Sequence, residues 1–243
     1  MLEKEIKDQL LPSTKHLVVV LGTPIVYPAL TLFEDALEKL GDKLSRGSAI
    51  GKIFGKCKAF ENVLGQFGPE LLDDLVDSWA CTVHTEEKKK FVEMLQAIAA
   101  QYTVRVTFVG GDVHVGGAGR FFGTEKVDRL IDPYYMVQVV SSAIVNAPPP
   151  SAVISALHSS SKTYELNEYT SEKMTKIFPE DVDGSPLENQ KLLNRRNWCS
   201  VRESEALEQL KFTLHVENVD HVGAKKYLIL VNKLHTTVPA QAV

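Results

Sequence analysis

One glycine-rich loop constrains the fold and the function of this chain more than any other sequence feature. Residues 104–109 alternate in side-chain character, with one apolar face, and this pattern predicts a β-strand. The strand runs directly into the sequence Gly-Gly-Asp-Val-His-Val-Gly-Gly at residues 110–117. Because ligands of open α/β sheets gather at the carboxyl ends of the strands, we expect Asp112 and His114 to face a binding site.

The spacing of Asp112 and His114 is suited to metal binding. A carboxylate oxygen and an imidazole nitrogen two residues apart can converge on one metal ion. The surrounding glycines let the backbone turn sharply and leave room for a phosphate. Spacing alone leaves a second interpretation open, in which Asp112 is a turn residue and His114 an incidental loop histidine.

The other periodic segments predict an α/β fold. The β-branched run at residues 16–21 is typical of a strand buried on both faces. Thr85 is a candidate cap for a helix that continues to residue 102. The remaining predicted elements are a helix at residues 30–40, a strand at 136–145 and an antiparallel pair formed by 212–217 and 227–231.

Two segments depart from this regular pattern within what we treat as a single domain, residues 1–243. Residues 41–68 are rich in glycine and lysine and carry apolar side chains at helical spacing. This pattern predicts either an amphipathic insertion facing the core or a basic helix lying on a membrane surface. Residues 159–205 are polar and poorly periodic, which predicts a long ordered excursion across the surface.

Composition excludes several classes of protein. The net charge of −4 argues against an extended nucleic-acid surface, so no nucleic-acid partner is expected. The three cysteines are widely separated, which favours reduced thiols in a cytoplasmic protein. The N-terminus is too charged for a signal peptide, and we expect no transmembrane helix. Peripheral attachment to a membrane remains compatible with the sequence.

A second cluster of candidate residues precedes the predicted helix. Asp77 and Trp79 follow two further aspartates, and His84 comes shortly after them. Massed carboxylates bind cations or orient a substrate, although they also commonly flank a helix end. The Arg-Arg-Asn-Trp sequence at residues 195–198 has a similar ambiguity, because guanidinium groups bind phosphates and also form surface salt bridges.

Several blocks of sequence together resemble the PhoD-like phosphatase family, in particular its eukaryotic branch of PhoD-related proteins. The blocks occur in order along nearly the whole chain, at residues 17–28, 70–79, 104–114, 141–150, 181–184 and 192–198. The resemblance implies a metallophosphatase-type sandwich of two β-sheets flanked by helices. It also implies hydrolysis of phosphate mono- or diesters by a metal-activated water.

The resemblance assigns roles to particular residues. Asp112 and His114 correspond to the last metal-ligand motif of the family, with a calcium, iron, manganese or zinc cofactor of undetermined identity. Asp77 and Trp79 correspond to an acidic–aromatic element beside the site, and His84 lies close to that element in sequence.

The chain also departs from the family pattern, since the aspartate-rich ligand motifs of the N-terminal half are absent. We therefore expect the C-terminal half of the domain, with weak metal binding and impaired hydrolysis. Half of a sandwich exposes apolar edges, so a homo-oligomer or a complementing chain is an expected partner. The alternative is a non-catalytic binding or scaffold protein that attaches to a membrane through residues 41–68.

Overall fold

The computed structural model describes residues 1–28, 79–149, 151–204, 206 and 208–237. Its helices are α1 (Leu2–Gln9), α2 (Thr85–Tyr102, preceded by a 3₁₀ turn at Thr82–His84) and α3 (Ser151–Ser160). Its strands are β1 (His16–Leu21), β2 (Arg105–Gly110), β3 (Gly116–Gly123), β4 (Met136–Val140), β5 (Tyr164–Glu165), β6 (Thr170–Met174), β7 (Leu192–Leu193), β8 (Asn197–Ser204), β9 (Gln209–Glu217) and β10 (Ala224–Asn232).

Seven of these strands form the first sheet, in the order β1-β2-β4-β3-β6-β5, with β7 paired to β3. Strands β1, β2 and β4 are parallel, whereas β3 runs antiparallel to β4 and β6. The carboxyl ends of the three parallel strands therefore lie side by side at one edge of the sheet.

The second sheet consists of β8, β9 and β10 and packs face to face against the first. Alternate residues of β9 point inward, as the alternating sequence of this strand predicts. One shared core cluster contains Val137 and Val139 of the first sheet together with Phe212, Leu214 and Val216 of the second. The predicted antiparallel pair and the two-sheet arrangement are both confirmed.

Helix α2 covers the opposite face of the first sheet. Its buried residues Val92, Leu95 and Ile98 share a core cluster with Val106 and Phe108 of β2. The layers are therefore helix, sheet and sheet, which confirms an α/β fold with a two-sheet sandwich.

The two ends of α2 are defined by backbone conformation. Thr85 is the first helical residue, and His84 occupies the capping position without a side-chain hydrogen bond, so the prediction of Thr85 as the cap is wrong by one residue. Thr103 ends the helix with a left-handed φ of 52°.

Strand β1 is less buried than its sequence predicts. It lies at the edge of the first sheet and pairs with β2. Val18 is 39% exposed and Val20 is 76% exposed, so the prediction of burial on both faces is wrong. A run of β-branched residues does not distinguish a central strand from an edge strand, because that difference depends on which other strands pair with it.

Other element boundaries also differ from those predicted. Strand β4 ends at Val140, five residues before the predicted end. Residues 159–205, for which the sequence predicts a surface excursion, contain strands β5, β6, β7 and the whole of β8. The predicted helix at residues 30–40 and the amphipathic segment 41–68 lie outside the described residues.

The half-buried imidazole of His16 gives the fold a pH dependence. Its Nε2 lies 3.1 Å from the carbonyl oxygen of Glu208, whereas its Nδ1 is buried without a hydrogen-bond partner. Burial lowers the pKa of His16 below its usual value of about 6.5. Protonation is therefore more costly in the folded chain than in the unfolded chain.

We expect stability to be complete above the unfolded pKa of His16 and to decline as the pH falls through about 6.5 towards the lower folded pKa. Urea unfolding at about pH 7.5 and about pH 5 measures this decline. His16→Gln is expected to reduce it, whereas His221→Gln, which removes only a surface ion pair with Glu217, should not reduce it. An unchanged decline in the His16 variant would contradict the assignment.

Candidate functional site

Three loops meet at the carboxyl ends of β1, β2 and β4. Backbone hydrogen bonds connect them, because the amide of Gly111 donates to the carbonyl of Gly22 at 3.1 Å and the amide of Ser141 donates to that of Gly110 at 3.0 Å. The parallel register places Leu21 beside Gly110 and Gly110 beside Val140. The loop that contains Asp112 and His114 is thus the central one of the three.

Asp112 and His114 both have left-handed backbone conformations, with φ values of 71° and 53°. They alternate with Val113 and Val115, which are buried in the core. Asp112 is exposed and His114 is half-buried. Left-handed backbone costs a non-glycine residue roughly 1–2 kcal/mol, and such conformations cluster at functional sites. Two ligand-type side chains thus occupy backbone positions that favour glycine.

The loop after β4 brings a third polar side chain to this pair. Asn146 places its Nδ2 3.4 Å from the Nε2 of His114. The backbone amide of His114 donates to the hydroxyl of Ser142 at 3.3 Å. Ser142 therefore holds the backbone of His114, and Asn146 lies beside its imidazole.

The buried side chain of Asn197, at the start of β8, holds this loop in place. Its Oδ1 accepts hydrogen bonds from the Ser141 hydroxyl at 3.0 Å and the Ser142 amide at 3.2 Å. Its Nδ2 donates to the carbonyls of Ser142 at 2.7 Å and Arg195 at 3.0 Å. These four bonds use the full capacity of a carboxamide, so the second sheet fixes the loop that carries Asn146.

A second buried amide holds the loop after β1. The amide of Ile25 donates to Oε1 of Gln138 at 3.0 Å, and Gln138 itself is fully buried within β4. This loop passes so close to the sheet that the Cα of Pro24 lies 3.0 Å from the place where a Cβ on Gly110 would stand. The loop is thereby pinned over the ends of the parallel strands.

Trp79 and His84 lie together in the helix layer. The Trp79 ring stacks on Phe91 of α2 with centroids 5.8 Å apart, and it lies 6.4 Å from the His84 ring. The Nδ1 of His84 is 3.7 Å from a carboxylate oxygen of Glu87. These contacts anchor the start of α2. Asp77 lies outside the described residues, so its predicted place beside the site stays a prediction, as do the predicted roles of Trp79 and His84.

The arginine pair at residues 195 and 196 forms structural contacts. Arg195 makes a bidentate ion pair with Asp181, at 2.8 and 2.7 Å, and this partner lowers the pKa of the Asp181 carboxyl. Arg196 donates through Nε to the carbonyl of Val145 at 2.8 Å and lies 3.5 Å from Glu217. Both arginines therefore fit the salt-bridge interpretation of this sequence.

The donor set fits a metal ion only in part. Asp112 and His114 offer an oxygen and a nitrogen ligand, and the Asn146 amide lies next to the imidazole. Within the part of the chain that the structure describes, no group of three or more His, Cys, Asp or Glu residues could hold a metal ion. Catalytic zinc usually takes three protein ligands and calcium six to eight oxygen ligands, so Asp112 and His114 alone are too few for such a site.

Sequence reasoning did not identify Ser142, Asn146, Gln138 or Asn197. Their role depends on contacts between loops and strands that are distant in sequence. The sequence signals were that Ser142, Asn146 and Asn197 fall within blocks that resemble the PhoD-like family and that Asn197 lies in the Arg-Arg-Asn-Trp sequence. None of the described helices is long and apolar enough to cross a membrane.

The geometry defines an α/β protein with two face-to-face sheets and a polar site at the ends of its parallel strands. A family model described as PhoD related phosphatase matches residues 41–234, and the chain belongs to this family. Phosphatases of the PhoD family are generally metal-dependent.

One curated relative is a protein of Saccharomyces cerevisiae that is named only as uncharacterized protein YGR266W. It is 31% identical over 221 residues, which cover 82% of this chain and 30% of the relative. The chain therefore spans less than a third of the length of this relative. No solved structure matches the chain.

Proposed function

We propose that this chain contributes to a metal-dependent phosphatase that hydrolyses phosphate mono- or diesters. The observation that carries the proposal is the pair Asp112 and His114, held in left-handed conformations at the ends of the parallel strands. Membership of the PhoD-related family supplies the reaction class.

Each polar group of the site has a part in this proposal. The Asp112 carboxylate and the Nε2 of His114 would hold the metal, which supplies a water of lowered pKa when bound. Ser142 orients His114 through its backbone amide, and Asn146 lies against the imidazole. Asn197 holds Ser141 and Ser142 at the start of this loop and so limits the rearrangement needed on binding.

The remaining ligands would come from outside the described residues. Asp77 is one candidate, and a complementing chain or a second copy of this chain is another source. We therefore expect weak metal binding and slow hydrolysis by the isolated chain. Calcium, iron, manganese and zinc all remain candidates for the metal.

The test combines metal binding with hydrolysis. We expect Asp112→Asn and His114→Ala each to weaken binding of manganese or zinc by at least about 10-fold, since the loss of a residue that only orients a ligand already costs about 10- to 100-fold. Hydrolysis of p-nitrophenyl phosphate or bis(p-nitrophenyl) phosphate, where detected, is expected to fall with metal affinity. Titration calorimetry measures the metal affinity, and the release of p-nitrophenol measures hydrolysis.

The exposed His221 provides a matched control, because His221→Ala removes an imidazole distant in sequence from the site loops. Unchanged metal affinity in both site variants would contradict the assignment of the ligands. A folded chain without metal affinity or hydrolysis would instead support the non-catalytic scaffold. Co-sedimentation with anionic vesicles would then test residues 41–68.

A further inference from the structure

The outward face of the second sheet carries an ordered aromatic pair. In the strand register, Trp198 of β8, His215 of β9 and Lys226 of β10 lie in one row. The Trp198 and His215 rings stack in parallel, with centroids 3.8 Å apart and planes within 2°. The Nε2 of His215 also lies 3.0 Å from the hydroxyl of Ser200. The rings are thus fixed in position on an exposed sheet surface.

The same face concentrates positive charge. Arg202 lies directly opposite Lys211 in the register of β8 and β9. Like charges directly opposite each other destabilise a sheet. Within the described part of the chain, neither residue nor Lys226 forms a salt bridge. Burial is the main cause that lowers the pKa of His215, and the positive charges of Lys226 and Arg202 lower it further. The charge around His215 is therefore positive.

Apolar side chains lie among these cations. Leu228 and Leu230 of β10 are 49% and 50% exposed, and Trp198 is 45% exposed on the opposite strand. They point outward because Tyr227, Ile229 and Val231, with which they alternate, are buried. The face therefore combines exposed apolar surface with cations that have no anionic partner among the described residues.

We propose that this face docks an acidic amphipathic helix of a partner protein. Three strands span about 10 Å between the outer two, and the rows from Trp198 to Arg202 extend about 13 Å along them. This footprint suits a single α-helix, whose diameter is about 10–12 Å. The apolar stripe of the helix would cover Trp198, Leu228 and Leu230, and its carboxylates would pair with the cations.

Single-stranded nucleic acid fits this face less well. One face of the Trp198 ring is already covered by His215, so less aromatic surface remains for base stacking. Leu228 and Leu230 offer no ring, and three cations neutralise few phosphates. A helix with leucines and glutamates matches both the apolar and the charged parts of the surface.

Tryptophan fluorescence of the full chain tests the proposal. The chain has two tryptophans, so Trp79→Phe leaves Trp198 as the single reporter on this face. The probe is a peptide of about 16 residues with leucines at helical spacing and glutamates elsewhere. A second peptide with the same leucines and lysine in place of glutamate is the control. We expect saturable binding of the first peptide and none of the second.

Charge reversal tests whether the peptide binds to this face. We expect Arg202→Glu combined with Lys211→Glu to weaken binding of the glutamate peptide at least about tenfold. The double variant Lys89→Glu and Lys90→Glu, which changes two adjacent lysines of α2, should leave the affinity unchanged. Raising the salt from about 50 to about 300 mM should also weaken binding, because the pairing is electrostatic.

Four binding results would overturn the proposal. They are equal binding of the two peptides, unchanged affinity after charge reversal, no binding of the glutamate peptide, and tighter binding of a single-stranded oligonucleotide of about twelve nucleotides than of the glutamate peptide. Concentration-dependent dimerisation that Leu228→Asp abolishes would assign the face to a second copy of this chain and would likewise overturn it. The outcome is independent of phosphatase activity.

Discussion

Replacement of Arg105 by methionine is expected to lower the free energy of unfolding by about 3–5 kcal/mol. Arg105 is 2% exposed, and burial lowers the pKa of its guanidinium to about 10. The cation donates to backbone carbonyls, namely those of Asp132 at 2.8 Å, Tyr135 at 2.5 Å, Arg129 at 2.6 Å, Leu130 at 3.3 Å and Asn232 at 3.3 Å. Methionine fills much of the volume but donates no hydrogen bond to these carbonyls, of which those of Asp132 and Leu130 keep a backbone donor.

Urea denaturation measures this effect, with Arg202→Met as the matched control on an exposed strand position. The control should change stability by no more than about 0.5 kcal/mol. Arg105→Lys should lie between the wild type and Arg105→Met, because an ammonium group keeps the charge but offers fewer donors. Equal stability of Arg105→Met and the control would show that the carbonyls find other partners.

Replacement of Gly119 by alanine is expected to destabilise the fold by about 2–3 kcal/mol. A Cβ at this position in β3 would lie 2.5 Å from Cγ1 and 2.8 Å from Cβ of Val26. Val26 is buried in the loop after β1, so the clash pushes that loop away from the sheet. The same movement strains the hydrogen bond between Ile25 and Gln138.

Gly22 provides the matched control, since a Cβ at Gly22 would meet nothing within 4 Å. Thermal or urea denaturation should show little change for Gly22→Ala. The double variant Val26→Ala and Gly119→Ala should cost less than the sum of the single changes, because truncation of Val26 removes the clash. Strict additivity would mean that the two residues do not meet.

Local patterns predicted the elements whose partners lie nearby or whose periodicity is strong. Helix α2 and the pair β9 and β10 follow from apolar side chains at helical and alternating spacing. Strand β6 was missed because its sequence, Thr-Ser-Glu-Lys-Met, is polar. Its polar residues are buried by particular partners, as when the buried Glu172 pairs with Lys88 of α2 at 2.7 Å. Such pairing is not visible in sequence periodicity.

The candidate site likewise combines residues that a local sequence pattern predicts with residues that only the fold brings together. Asp112 and His114 are neighbours in sequence, so a short motif was enough to propose them. Asn146 and Asn197 reach the same loops only through the fold, and a buried asparagine has no sequence pattern that separates it from an exposed one. The role of Asp112 and His114 as metal ligands stays a prediction until metal binding is measured.

Strand β8 carries two adjacent residues that point to different parts of the molecule. Asn197 faces inward and holds the Ser141–Ser142 turn beside His114, whereas Trp198 faces outward in the aromatic pair. A shift of β8 by a fraction of an ångström would therefore move both the loop beside His114 and the aromatic pair on the outward face. If ligands at the two surfaces each favour one position of this strand, each changes the affinity of the protein for the other by the same factor, because coupling between two binding sites is reciprocal.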